Sequence, residues 1–176
     1  MKKGAIGNSR LVRSIKRGWC RQPRVAIIGG AAILLVAFVA VRLLSGNPYV
    51  ALRLLNVRCF LPPLWILTIV FGGLFALSGG ACGAVIGGKC VRDVEKYRGG
   101  MFFVLMAVFS LMWYPLIFVG FAVFSGMICL AIAVFFGVMC TVNFFCVHKL
   151  AAIIIAAYLL WLLYLFIANC SIFFSI

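Results

Sequence analysis

The sequence predicts an all-α integral membrane protein, a bundle of five transmembrane helices, and three observations carry that prediction. Hydrophobic residues make up 67% of the 176 positions. They gather into five runs of about 20 residues or more, the length a helix needs to cross a bilayer. The runs are continuous rather than alternating, which excludes a membrane β-barrel, the other structure that satisfies its backbone in hydrocarbon. The expected spans are 25–44, 62–87, 100–119, 123–147 and 150–174, forming one transmembrane domain over 25–176.

Residues 1–24 precede the first span as a basic arm carrying Lys2, Lys3, Arg10, Arg13, Lys16, Arg17, Arg21 and Arg24, half of the chain's sixteen Lys and Arg. In a soluble protein a net charge of +14 would suggest nucleic acid. Beside a hydrophobic span, anionic lipid headgroups are the better partner, and no nucleic acid is expected. A signal peptide is the competing reading of the first span, but twenty apolar residues exceed a usual signal core. With the arm inside, Lys89, Arg92, Lys96, Arg98 and Lys149 also fall inside, leaving Arg42, Arg53 and Arg58 outside. Thirteen basic residues against three place the N-terminus in the cytoplasm and the C-terminus outside, in a cell membrane.

Asn47-Pro48 turns the chain after the first span, and Pro62-Pro63 opens the second helix, where a residue without a backbone donor is tolerated. That helix carries small residues every fourth position, Gly79, Gly83 and Gly87 on one ridge and Gly72, Ala76, Gly80, Ala84 and Gly88 on another. Such ridges admit close helix approach, either within the bundle or across a homodimer. The mixed-charge segment from Lys89 to Gly100 reads as a solvated connector. Few residues around Gly120 can turn, so the third and fourth helices should be antiparallel neighbours. Pro115 should kink the third helix or end its regular part. His148 and Lys149 read as interfacial anchors.

The composition also narrows the chemistry. None of the eight cysteines forms a C-x-x-C pair, His148 is the sole histidine, and Asp93 and Glu95 are the sole acids. A zinc site needs three or four clustered ligands, and an ion-coupled carrier usually shows a carboxylate or histidine within a span. Neither pattern is present, so no metal or cofactor is expected.

Three stretches carry a resemblance: LLNVRCFLPPLW (Leu54 to Trp65), SLMWYPLIF (Ser110 to Phe118) and AYLLWLLYLFIANCSIF (Ala157 to Phe173). They resemble, in order, the first-loop pattern L-N-K-P-x-W/F-x-P-P-x-W, the third-helix N-x-x-W-x-P-L-F-F and the fifth-helix P-Y-L-x-W-x-x-F-A-x-x-L-N of the translocator proteins, also called tryptophan-rich sensory proteins or peripheral benzodiazepine receptors. The resemblance covers residues 25–176. The chain departs from the pattern where a second-helix tryptophan falls on Phe71, the third-helix asparagine on Ser110, the fifth-helix proline on Ala157 and a fourth-helix acid on Cys129. No Tyr or basic residue follows Tyr164, so a C-terminal cholesterol-recognition pattern is missing; Leu44, Tyr49 and Arg53 satisfy its loose form.

The resemblance implies a ligand-binding set of Trp65, Leu67, Phe71, Trp113, Cys129, Ile132, Tyr158, Trp161, Leu165 and Asn169, inside the bundle beneath the first outside loop. By spacing, Tyr158, Trp161, Leu165, Ala168 and Asn169 share one face of the fifth helix. Broad aromatic faces can stack on a flat macrocycle or a sterol. They can equally form an aromatic belt or ordinary packing, and Asn169 can bond a neighbouring helix. The function implied is a membrane receptor or carrier for porphyrins and related flat hydrophobic molecules such as sterols, with the first outside loop as a lid. An enzyme that breaks down protoporphyrin in light is one alternative, without assigned catalytic residues because Phe71 lacks an indole. A structural membrane protein with a vestigial pocket is the other.

Overall fold

The computed structural model describes residues 24–45, 63–88 and 93–174. Residues 1–23 of the basic arm and the loop between the first two helices, with Tyr49, Arg53, Cys20 and Cys59, lie outside the described residues. Five helices follow in order: α1 Arg24–Leu44, α2 Leu64–Gly87, α3 Asp93–Phe118, α4 Val123–Val147 and α5 Lys149–Phe173. All five are long and apolar enough to cross a membrane, and no strand occurs among the described residues. A 25-residue helix is about 37 Å long, somewhat more than the ~30 Å of hydrocarbon, so the ends reach into the headgroup layer.

The third helix departs from expectation. It begins at Asp93 rather than near 100, so most of the expected connector is helical. Glu95 in the first turn puts negative charge at the positive end of the helix dipole. Lys96 is buried, and its Nζ donates to the carbonyl of Gly88 at 3.1 Å, closing the exposed end of α2. At the other end α3 runs through Pro115 and stops at Phe118. The turn to α4 is made by Val119 to Ala122, with Phe121 in the left-handed region at φ 49°.

In the bundle α1 lies along α2, α2 against α5, α5 along α4, and α4 along α3; α3 closes the ring by thinner contacts with α1 and α2. The glycines explain the closest seam. A Cβ on Gly30 would strike the carbonyl of Gly79, and one on Gly83 would strike the carbonyl of Ala26. Gly79 and Gly83 thus serve packing within the bundle, against α1. On the α3–α4 seam the side chains of Ile117 and Trp113 fit over Gly126, and Leu159 of α5 fits over Gly137.

One residue joins α4 to α5. His148 donates its N–H to the Phe144 carbonyl at 2.7 Å, ending α4, and its Nδ1 accepts from the Ala151 N–H at 3.2 Å, capping α5. It is a cap for both helices. Partial burial holds its imidazole below the usual histidine range, a hydrogen bond with its own backbone opposing. A depressed folded-state pKa contributes stability that is complete above the unfolded value of about 6.5 and is lost as pH falls through the folded value. Protonated Nδ1 cannot accept from Ala151, and its charge is unfavourable at the α5 N-terminus while favourable at the α4 C-terminus, so the lost cap carries the effect. Acidification from pH 8 to pH 5 is therefore expected to lower the melting temperature in detergent by about 2–4 °C through this cap. Asparagine at 148 caps without titrating. A wild-type melting profile with the same pH dependence as His148→Asn would exclude this account.

Candidate functional site

The aromatic residues of four helices converge around Phe71. Its ring stacks on Phe38 of α1, with centroids 5.3 Å apart, and on Trp113 of α3, at 6.2 Å. Tyr158 of α5 meets Phe71 edge-on at 6.1 Å and Phe75 at 5.8 Å. Tyr114 lies edge-on to both Phe38 and Trp113 and packs on Phe118 at 4.7 Å. Edge-to-face and offset-stacked pairs are the geometries that ring quadrupoles favour. One hydrogen bond crosses the cluster, from the Tyr158 hydroxyl to Ser110 Oγ at 2.9 Å; Ser110 in turn donates to the Ala107 carbonyl at 3.0 Å. A small hydroxyl at 110, where the resembled pattern has an asparagine, suits this relay.

Around this apolar cluster stand polar groups without partners. Trp113 Nε1, Tyr114 Oη, Trp161 Nε1 and Asn169 Nδ2 are buried and make no hydrogen bond. Trp113 and Tyr114 are each 1% exposed, and Asn169 is 2% exposed. Cys170 Sγ, next to Asn169 on α5, lies 3.5 Å from Met127 Sδ on α4, next to Gly126, the residue over which Trp113 packs. Leaving a buried polar group unpaired costs about 1–3 kcal/mol, so four such groups are costly for packing alone.

The ten candidate residues distribute unevenly over this arrangement. Phe71, Trp113 and Tyr158 touch one another's rings or share a neighbour, and Leu67 and Leu165 are buried in the same core. Asn169 is buried near the C-terminal end of α5. Trp161 is half-buried at the edge of the core and stacks on Tyr164 at 5.3 Å rather than on Tyr158. Cys129 and Ile132 are half-buried on α4. Trp65 is 63% exposed and stands apart from the cluster. The sequence reading missed Phe38, Tyr114 and Phe118. Phe38 had a signal, because it is the single aromatic residue of α1; Tyr114 was overshadowed by the adjacent tryptophan.

The cluster is filled by its own rings. A cavity of about 470 Å³ lies instead toward the opposite end, between α1, α2 and α5, and none of the ten candidates lines it. No curated protein and no solved structure matches the chain. The model of the TspO/MBR family matches residues 30–174, a range that takes in the aromatic cluster and nearly the whole bundle, and the chain belongs to the TspO/MBR family.

Proposed function

We propose that this integral membrane protein is a receptor or carrier for porphyrins and related flat hydrophobic molecules, sterols among them, bound at the outward aromatic cluster. The observation that carries the reading is the set of unpartnered buried polar groups on Trp113, Tyr114, Trp161 and Asn169 around stacked aromatic faces. A flat ligand bearing carboxylates or a hydroxyl supplies both missing halves, a face for the rings and acceptors for the donors. Entry parts α3 from α1 and α2, the thinnest contacts of the ring, and the ligand displaces Trp113, Tyr114 and Phe118. The test is titration of purified protein with protoporphyrin, followed by tryptophan quenching. Wild-type protein should quench saturably at one ligand per chain. Tyr114→Phe removes one unpartnered hydroxyl, so it should weaken binding by about 3–10-fold, the loss of one hydrogen bond. The same change should leave the melting temperature unchanged or raised, since the buried group no longer lacks a partner. Unsaturable quenching, or an affinity indifferent to Tyr114→Phe, would count against the site.

We further infer an orientation in a cell membrane with the N-terminus cytoplasmic and the C-terminus outside, supported by the distribution of basic residues. In a background without other cysteines, a membrane-impermeant thiol reagent applied to intact cells should label Cys59 and spare Cys20. The reverse pattern would invert the topology.

A further inference from the structure

The 470 Å³ cavity is a groove on the lipid-facing side of α2, walled by α1 and α5. Its floor is Gly73, Ala76, Gly80 and Ala84, whose small side chains leave the space, and Ile27 of α1 and Ile154 of α5 stand on its two walls. The core-facing residues of α2, such as Phe71, Phe75 and Ser78, occupy the opposite side of that helix. A Cβ built on Gly73 meets nothing within 4 Å, so the space is open there. From Gly73 to Ala84 the floor runs about 16 Å, close to the ~15 Å depth of one leaflet's hydrocarbon. Its volume falls within the roughly 300–1,000 Å³ of small-molecule sites.

The groove is lined almost wholly by apolar atoms, and the basic residues stand around one end of it. His148 lines it there. Because Nδ1 accepts from Ala151, the neutral ring carries its proton on Nε2, which remains a donor. Arg24 lies one turn before Ile27 on the α1 face that forms the wall, and its side chain is exposed. Lys149 adds charge beside His148, with its ammonium 5.9 Å above the Phe145 ring. The described residues 24–45, 63–88 and 148–154 place no acid at this mouth; Asp93 and Glu95, at the start of α3, belong to a helix that does not line the groove.

We propose that this groove seats one acyl chain of an anionic phospholipid, whose phosphate meets Arg24 and His148. The length matches a single leaflet, the lining matches a hydrocarbon chain, and the cationic mouth matches the headgroup. The site shares no residue with the aromatic cluster, so it stands or falls independently of the porphyrin reading.

The experiment reconstitutes the full chain in vesicles of equal phosphatidylglycerol and phosphatidylcholine with matched acyl chains. After detergent extraction, native mass spectrometry counts the lipid retained per chain. Wild-type protein should retain one phosphatidylglycerol. Gly73→Leu with Ala76→Leu fills the groove from its open side and should lower that retention about tenfold, with helical circular dichroism and a single cooperative melting transition retained as the sign of an intact bundle. Arg24→Glu leaves the groove open and should lower the preference for phosphatidylglycerol over phosphatidylcholine about tenfold, a charge reversal counting roughly twice a neutralisation. Retention unaffected by the filled groove would overturn the proposal. So would equal retention of the two lipids by wild-type protein, displacement of phosphatidylglycerol by an added sterol, or a dimer that the filled groove dissociates, which would make a second copy the occupant.

Discussion

Alanine in place of Phe71 is expected to destabilise the bundle by about 3–5 kcal/mol, the range for removing a fully buried phenyl ring. Phe71 is 0% exposed and touches the rings of Phe38, Phe75, Trp113, Tyr114 and Tyr158. These partners come from α1, α2, α3 and α5, so no single helix can shift to close the gap, and poor collapse places the cost in the upper part of that range. Leucine at 71 keeps most of the volume and should cost markedly less. Thermal unfolding in one detergent, followed by circular dichroism, measures both variants. Near-wild-type stability of Phe71→Ala would mean that the cluster is not the keystone of the fold. The same packing bears on light-driven chemistry. Phe71→Trp would set a second indole against Trp113, but it adds volume to a filled core and should itself destabilise by about 1–3 kcal/mol.

Leucine at Gly83 should act on the seam between α1 and α2, with a destabilisation near the upper end of the same overpacking range, about 3 kcal/mol. The first added carbon already meets the carbonyl of Ala26, and backbone cannot rotate away as a side chain can. Replacing a helical glycine gains about 1 kcal/mol of helix propensity, too little to offset the separation of two helices. Gly29→Leu provides the contrast, because a Cβ there meets nothing within 4 Å. Equal melting temperatures for the two variants would show that the seam tolerates separation.

The five spans were legible because hydrocarbon leaves the backbone few choices. The start of α3 was not, since Asp93 to Arg98 is charged enough to read as a connector until the end of α2 supplies a carbonyl for Lys96. The glycine ridge on α2 was legible as a packing surface, but its partner was not. Periodicity marks a face, while only the three-dimensional arrangement shows that Gly79 and Gly83 turn to Gly30 and Ala26. At the site, the aromatic pattern led to Phe71, Trp113 and Tyr158, which meet. Spacing alone put Trp161 on the inner face, yet it sits at the edge of the core beside Tyr164, about a sixth of a helical turn from Tyr158. The unpartnered polar groups carry no sequence signal, because satisfaction depends on every neighbour at once.

Of the 21 residues of α1, Phe38 alone is buried, and the closest backbone approach is made at Ala26 and Gly30. Most of the remaining positions are read by lipid, which distinguishes apolar from charged but hardly one aliphatic side chain from another. The first helix can therefore drift widely in sequence on its exposed face while its place in the fold is held by Ala26, Gly30 and Phe38, with Ile27, Ala31, Leu34 and Val41 packed beside them. A saturation library across 24–44, selected only for folded protein in the membrane, would return a tolerant apolar background with sharp exclusions at those positions.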